Sequence, residues 1–206
     1  NGKKLALLID NDIVNVHDVP EDIKLSLIQQ NQVDAEKTKQ PKIDKAAIAE
    51  VLSELEYPLY FLDYETVSTA LPLYENCKPY QQIPFQYSLH VLKEPGATLE
   101  HYEYLSHDST TLPAHELLSN LKQQIGPSGS IITWNKSFEM GRNREMAEQY
   151  PEFAELMNSI NDRVFDLMEI FSKQHYVHHK FKGSSSIKKV LPVLVDGFSY
   201  DDMDIS

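Results

Sequence analysis

The sequence contains a single cysteine, Cys77. One cysteine can form neither an internal disulfide nor a cysteine-based zinc cage, and this sparse use is typical of a reducing compartment. No apolar run approaches the roughly 20 residues that a transmembrane helix needs, and no signal-peptide pattern opens the chain. We therefore expect a cytoplasmic protein with no membrane partner. Because the chain begins at Asn1 without an initiator methionine, we also expect a piece of a larger protein.

Basic residues are few as well. The 19 Lys and Arg residues stand against 31 Asp and Glu, which gives a net charge of -12 at pH 7. Non-specific binding to duplex DNA comes mainly from Lys and Arg at phosphates, so this balance disfavours a protein that coats duplex DNA by charge alone. It does not exclude an enzyme acting on nucleic acid, because catalytic metal ions need carboxylates around them.

The first 43 residues differ in pattern from the rest of the chain. Short apolar segments predict helices that bury little, and Pro20 fits the first turn of one of them. Residues 34–42 are almost entirely polar, which is typical of a linker. We therefore predict a helical arm and linker over residues 1–43 and one domain over 44–206, beginning with a helix capped by Asp44.

From residue 59 the hydrophobic pattern alternates between strand and helix periods. Three strands come first, and helices and strands then alternate, which predicts one mixed five-stranded sheet with helices on its faces. The predicted strands cover residues 59–62, 83–92, 98–105, 130–134 and 163–165. The predicted helices cover residues 112–125, 138–150, 167–171 and 186–194, the last broken at Pro192.

Acidic residues follow two of these strands. Asp63 and Glu65 come directly after the apolar run 59–62, and residues two apart on a strand share a face. Two like charges held together are unfavourable unless a cation lies between them, although a strand end where acids meet water is an equal alternative. Glu139 lies in the first turn of the helix after strand 130–134. It could face Asp63, or it could only complement the helix dipole.

Two of these segments resemble motifs of a known superfamily. LDYET (62–66) and WNKSFE (134–139) resemble the first two motifs of the DEDD superfamily of 3′–5′ exonucleases. That superfamily has a ribonuclease-H-like fold with the same order of strands and helices. More narrowly, the chain is similar to a bacterial domain-of-unknown-function family placed in that superfamily. Five blocks in order carry this similarity: residues 57–66, 79–90, 135–139, 163–171 and 181–192.

The resemblance implies a ribonuclease-H-like α/β domain that acts as a metal-dependent 3′–5′ exonuclease on DNA or RNA ends, with single-stranded ends favoured. By motif matching, Asp63 and Glu65 would be the first two catalytic metal ligands. Glu139, where the superfamily has Asp, would be the third. Together they would hold two Mg²⁺ or Mn²⁺ ions in the intact protein.

The superfamily's last motif is an Asp on a final helix, with a His or Tyr ahead of it as general base. We expect this motif beyond the helix that begins at residue 186, in the C-terminal continuation of the parent protein, so this fragment could be inactive by itself. Asp201, Asp202 and Asp204 are expected to be surface acids. Other domains of the parent protein are expected partners.

Several further residues are candidates for supporting roles. Asp166 follows a short strand and is expected either to cap the next helix or to support the metal ligands from behind. The basic tract 175–189 holds Gly183 and three serines ahead of a helix, which fits a phosphate site or a solvated turn equally well. The candidate substrate contacts are Tyr64, Thr66, Phe85, Asn135, Phe138 and Lys188.

Two other functions stay open at this point. The acidic net charge and the missing last motif fit a catalytically silent module that binds nucleic acid or another domain of the parent chain. A phosphoesterase acting on small nucleotides is the third possibility. DNA and RNA are not separated, since no motif here senses a 2′-hydroxyl group.

Overall fold

The computed structural model describes residues 2–107 and 110–200; Asp201, Asp202 and Asp204 lie outside them. The chain divides into two compact units, one formed by residues 54–167 and the other by the residues before and after them. The predicted folding domains, 1–43 and 44–206, stay a prediction. Within the described residues, no helix is both long enough and apolar enough to cross a membrane.

The described residues form helices and strands that alternate along most of the chain. The helices are α1 (Gly2–Asp10), α2 (Leu27–Thr38), α3 (Lys45–Leu52), α4 (Ala114–Gln124), α5 (Lys136–Gln149), α6 (Ala154–Asp162), α7 (Glu169–Ser172) and α8 (Ile187–Leu194). The strands are β1 (Lys42–Ile43), β2 (Leu59–Val67), β3 (Ile83–Leu92), β4 (Glu100–Leu105), β5 (Ile131–Thr133), β6 (Val164–Asp166) and β7 (Tyr176–Val177).

The unit formed by residues 54–167 is built on the predicted mixed sheet of five strands. The strand order is β4-β3-β2-β5-β6. β3 pairs antiparallel with both β2 and β4, whereas β5 pairs parallel with both β2 and β6. The prediction of a mixed five-stranded sheet flanked by helices is confirmed.

The core of this unit lies on one face of the sheet. Alternate residues of β2 and β3 point into it, because successive side chains of a strand face opposite sides. The apolar faces of α4, α5 and α6 cover them. The buried residues from these elements include Tyr60, Leu62, Tyr64, Tyr87, Leu89, Val91, Leu117, Leu118, Leu121, Met146, Met157 and Ile160.

Polar contacts fix the amino-terminal ends of the parallel strands. Before β5, the Ser130 hydroxyl accepts from the Glu56 amide at 2.9 Å, and the Ser130 amide donates to the Glu56 carbonyl at 2.8 Å. The Arg163 guanidinium, just before β6, donates to the carbonyls of Gly126 and Gly129 at 3.0 and 2.9 Å. These contacts fix how the parallel strands are aligned along one another, and so set which residues are neighbours at their carboxyl ends.

The other unit differs from its sequence prediction at its first helix. No helix begins at Pro20. Instead, α2 begins after Ser26, where the Ser26 hydroxyl accepts from the Gln29 amide and the Gln29 side chain accepts from the Ser26 amide. This capping box satisfies two end groups of the helix at once. The predicted linker 34–42 is wrong as far as Thr38, since burial of Val33 and Ala35 extends α2 through it.

Three further differences involve prolines and short strands. α6 was not predicted, because Pro151 is a helix breaker. In the structure, Pro151 opens a 3-10 turn (Pro151–Phe153) that leads into α6. α8 is not broken at Pro192 but continues to Leu194, with Val190 fully buried on its inner face. β1 and β7 form a two-stranded antiparallel sheet too short to predict from a period of two.

Candidate functional site

The carboxyl ends of the neighbouring strands β2, β5 and β6 lie side by side and form one edge of the sheet, the edge that runs across the strands. Phe61 of β2 is level with Ile132 of β5, and Thr133 at the end of β5 is level with Asp166 at the end of β6. Asp63 and Glu65 therefore extend β2 toward the same edge where β5 turns into α5. In open α/β sheets, this is the edge at which ligands bind.

Asp63 and Glu65 form the exposed part of this edge. Both lie on the same face of β2, opposite Ser88 and Gln86 of β3, and both residues are exposed. The pKa of Asp63 is nevertheless raised, first by partial desolvation of its carboxylate and then by the charge of Glu65, while the Tyr64 amide opposes the shift. The two acids thus repel each other across a short distance.

Glu139 is the buried part of the edge. It lies in the first turn of α5, its side chain is only 3% exposed, and its Oε2 atom has no hydrogen-bond partner among the described residues. Burial raises its pKa from 4.5 to about 7, with the charges of Asp63 and Asp166 adding to the shift and its own backbone amide opposing it.

This shift decides against a role limited to the helix dipole. A dipole favours a carboxylate at a helix N-terminus by about 0.3–1 kcal/mol. The rise in the pKa of Glu139 from 4.5 to about 7 corresponds to about 3 kcal/mol against its charged form. The environment therefore disfavours the anion more than the dipole favours it.

A second unpaired oxygen lies at the end of β5. The Thr133 hydroxyl is buried, and its Oγ1 has no hydrogen-bond partner among the described residues. Buried polar atoms in folded proteins are almost always paired with protein, water or a ligand, so these two oxygens mark positions where such a partner is expected. Oxygen donors of this kind are the ones that Mg²⁺ and Mn²⁺ prefer.

Asp166 holds the turn between β5 and α5. Its two carboxylate oxygens accept from the amides of Asn135 and Lys136 at 3.0 and 3.1 Å. Asn135 has a left-handed backbone with φ of 80°, a conformation that asparagine tolerates better than most residues. Asp166 does not cap the helix after it, since α7 begins at Glu169, its N-cap residue is Met168, and no side chain caps it. Because Asp166 is paired with Thr133 at the end of β5, its carboxylate lies next to the turn between β5 and α5 instead.

A chain of buried amides positions α5 one turn beyond Glu139. The Tyr64 hydroxyl donates to Asn143 Oδ1 at 2.9 Å, and Asn143 Nδ2 donates to Asn161 Oδ1 at 2.9 Å. Asn161 in turn donates to the Met140 carbonyl at 3.3 Å. Sequence reasoning missed Asn143; its place four residues after Glu139, on the same helix face, is the signal that could have found it.

This network uses Tyr64, which was predicted to contact substrate. Its side chain is 3% exposed, and burial followed by the charge of Glu139 raises the pKa of its hydroxyl. A residue buried in this way holds α5 against β2, and its contact with a substrate stays a prediction.

The chain matches one described protein family. Residues 60–186 match the family described as a domain of unknown function, DUF2779. The chain belongs to this family. The prediction of a bacterial family of this kind is confirmed, and Asp63, Glu65, Glu139 and Asp166 all lie within the matched residues of the DUF2779 domain.

Relatives of this DUF2779 domain occur in longer bacterial proteins. It is 30% identical over 155 residues to the uncharacterized protein MG366 of Mycoplasma genitalium, covering 71% of this chain and 23% of that protein. The MG366 homolog of Mycoplasma pneumoniae is 28% identical over an alignment of 219 positions, covering 91% and 33%. The uncharacterized protein UU173 of Ureaplasma parvum is 29% identical over 174 residues, covering 79% and 24%. The chain thus spans a quarter to a third of the length of these relatives. No solved structure matches it.

The other residues predicted to contact a substrate differ in how buried they are. Phe138 packs against the core, with the Arg142 guanidinium 5.4 Å above its ring. Asn135 is exposed, and Thr66 and Phe85 are partly exposed. Lys188 is exposed on α8, in the other compact unit and outside the matched residues. Contact of these residues with a substrate stays a prediction.

The acids of the DUF2779 domain are electrostatically coupled but are not a preformed ligand set. Over residues 2–107 and 110–200, no three His, Cys, Asp or Glu side chains are gathered closely enough to hold a metal ion as they stand. Metal binding by Asp63, Glu65 and Glu139 therefore stays a prediction.

Proposed function

We propose that this chain is the nuclease domain of a larger protein, a metal-dependent 3′–5′ exonuclease that hydrolyses phosphodiester bonds of DNA or RNA. The observation that carries the proposal is the buried Glu139 carboxylate, which has an unpaired oxygen and a raised pKa beside Asp63. Perturbed acids of this kind concentrate at functional sites. The order of three antiparallel strands followed by parallel ones is also the order that the resemblance to the DEDD superfamily implied.

The donor set fits Mg²⁺ or Mn²⁺. Asp63, Glu65 and Glu139 would supply carboxylate oxygens, and two such ions are the number that the resemblance implies. A bound ion of this type lowers the pKa of an attacking water and stabilises the leaving oxygen.

The other residues of the edge support these three. Asp166 holds the amides of Asn135 and Lys136 and so fixes the start of α5, on which Glu139 lies. Asn143 and Tyr64 hold the next turn of the helix against β2. The packed surroundings of Glu139 keep water away from it, which strengthens its attraction for a cation.

The test uses the full-length parent protein with a 5′-labelled single-stranded oligonucleotide and Mn²⁺. We expect stepwise release of nucleotides, and we expect Glu65→Ala to reduce the rate by about 10²-fold or more. Glu103→Ala is the matched control, because Glu103 is an exposed acid on the same sheet, opposite Ser88 of β3. Unchanged activity of Glu65→Ala would show that the proposal is wrong.

The second candidate is a catalytically silent module that binds nucleic acid or a partner domain. It is favoured by the lack of a preformed group of three metal-binding side chains in the described residues. Binding of the oligonucleotide by the parent protein without hydrolysis, with or without Mn²⁺, would support this candidate. Hydrolysis of small nucleotide esters but not of oligonucleotides would instead identify a phosphoesterase.

A further inference from the structure

A cavity of about 210 Å³ lies in the unit formed by the two ends of the chain, between α2 and the segment from α7 to the turn before α8. Three aromatic side chains line it and contact one another. The ring centroids of Phe171 and Tyr176 are 6.0 Å apart, those of Phe171 and Phe181 are 5.8 Å apart, and those of Tyr176 and Phe181 are 5.7 Å apart. Pockets for drug-sized ligands span roughly 300–1,000 Å³, so this cavity takes a single ring system.

Gln174 contributes an unpaired acceptor to the lining. Its Nε2 donates to the Phe171 carbonyl at 3.2 Å, and its buried Oε1 has no partner among the described residues. The orientation of the amide is fixed, because a carbonyl oxygen can only accept. A buried acceptor without a donor is costly, which points to a ligand that carries an N–H group.

Donors are available at the other side of the lining. The Ser184 hydroxyl accepts from the Ser186 amide at 3.1 Å, which leaves its own hydrogen for a further acceptor. His178 Nδ1 accepts from the Lys180 amide, so the neutral ring carries its proton on Nε2. α8 begins directly after these serines, and the N-terminus of a helix favours an anion.

The charge of this region also favours an anion. No acid lines the cavity, although the chain has a net charge of -12, and residues 168–200 hold five lysines and only two acids.

Gly183 forms part of the cavity wall: its φ is 75°, and a Cβ there would lie 2.7 Å from the Gln32 side chain. A side chain at residue 183 would therefore displace the end of the Gln32 side chain and would also strain the backbone at this φ.

We propose that this cavity binds a nucleoside monophosphate unit, either as a free nucleotide or as the terminal nucleotide of a single strand. The base lies against the aromatic lining and donates an N–H to Gln174 Oε1. The phosphate lies at Ser184 and the start of α8. The site needs no metal ion and does not depend on the proposed nuclease activity.

The first test is calorimetric titration of the chain with adenosine 5′-monophosphate in EDTA. We expect saturable binding at one site, weakened about tenfold by Gln174→Leu, since one hydrogen bond is lost. The thermal stability of this variant should stay close to that of the wild type, because the substitution also removes a buried unpaired oxygen. Gln123→Leu is the matched control, because Gln123 is exposed on α4, and it should bind like the wild type.

The second test places a negative charge at the phosphate position. Aspartate in Ser184→Asp can still accept from the Ser186 amide, so the turn is kept, while its charge should weaken binding at low salt by about tenfold or more. Ser53→Asp adds the same charge at an exposed position outside the cavity lining and should have no effect.

A single-stranded pentanucleotide distinguishes the two sources of the ligand. Tighter binding than the mononucleotide indicates a strand end, and equal or weaker binding indicates a free nucleotide. The proposal is overturned if neither ligand binds saturably, or if Gln174→Leu and Ser184→Asp bind like the wild type. Because EDTA removes metal ions, these outcomes are independent of whether the parent protein is a nuclease.

Discussion

The acids at the edge of the sheet fall into two groups with different surroundings. Asp63 and Glu65 are exposed in the second half of β2, from its middle residue onward, whereas Glu139 is 3% exposed at the start of α5. Water can hydrate the first two, so their position by itself fits an ordinary strand end. The buried carboxylate has no such explanation, because an unpaired charge away from water is strongly unfavourable. The functional proposal therefore rests on Glu139 more than on the pair that the sequence made conspicuous.

The largest expected effect is that of neutralising the buried acid. The pKa of Glu139 is raised from 4.5 to about 7 in the folded chain. The folded state thus binds this proton more tightly than the unfolded state, so the contribution of Glu139 to stability is greatest below about pH 4.5 and is lost as the pH rises through about 7. Glu139→Gln should remove this dependence and raise the free energy of unfolding near pH 8 by up to about 3 kcal/mol.

Urea unfolding at a series of pH values measures this effect. Glu65→Gln serves as the control for the exposed group and should change stability by less than about 0.5 kcal/mol. The same pH dependence in the wild type and in Glu139→Gln between about pH 4.5 and 7, or a destabilised Glu139→Gln near pH 8, would contradict the assignment of Glu139 as a buried charge.

The next largest effect is expected at the network that holds α5. Asn143→Leu leaves the Tyr64 hydroxyl and Asn161 Oδ1 without their partner, which should lower the free energy of unfolding by about 2 kcal/mol. Glu148→Leu, at an exposed position of the same helix, is the control. Equal stability of the two variants would mean that the network does not position the helix.

A smaller effect is expected at the turn before α5. In Asp166→Asn, the side-chain amide would replace one of the two oxygens that accept from Asn135 and Lys136. The loss should be about 1 kcal/mol, comparable to that of a helix cap. Asp162→Asn, at an exposed position just before β6, should be neutral in the same unfolding experiment. If both are neutral, Asp166 does not stabilise the turn.

The smallest effect is expected at the exposed pair. Partial desolvation and the charge of Glu65 raise the pKa of Asp63, so its charged form is slightly disfavoured at neutral pH. Asp63→Asn should therefore leave the stability unchanged or raise it slightly, within about 0.5 kcal/mol, as measured by thermal unfolding without divalent ions. A clear loss of stability would show that Asp63 has a structural partner.

The parts of the fold that the sequence predicted are those with a local period. The five strands of the sheet and helix α4 follow from hydrophobic spacing, which acts over neighbouring residues. Helix α6, which follows the turn opened by Pro151, was missed because its stability comes from Met157 and Ile160 in the core and not from local preference. Packing of this kind regularly overrides propensity.

The candidate site was predictable to a similar depth. The residue types and their places at strand ends were visible in the sequence. The burial of Glu139 was not visible. It depends on Tyr64, which lies 75 residues earlier in the chain, and on the hydrogen bond from Tyr64 to Asn143. The partners of Asp166 depend on the register of β5 against β6, and the cavity at Gln174 depends on a helix near the other end of the chain. Long-range contacts of this kind leave no periodic signal.

The most direct test of the metal site is a crystal structure of this chain grown with Mn²⁺, with anomalous scattering recorded at the manganese edge. We expect a peak within about 2.2 Å of carboxylate oxygens from Asp63, Glu65 and Glu139. Absence of a peak at this edge in crystals saturated with Mn²⁺, or a peak that Glu139 does not contact, would contradict it.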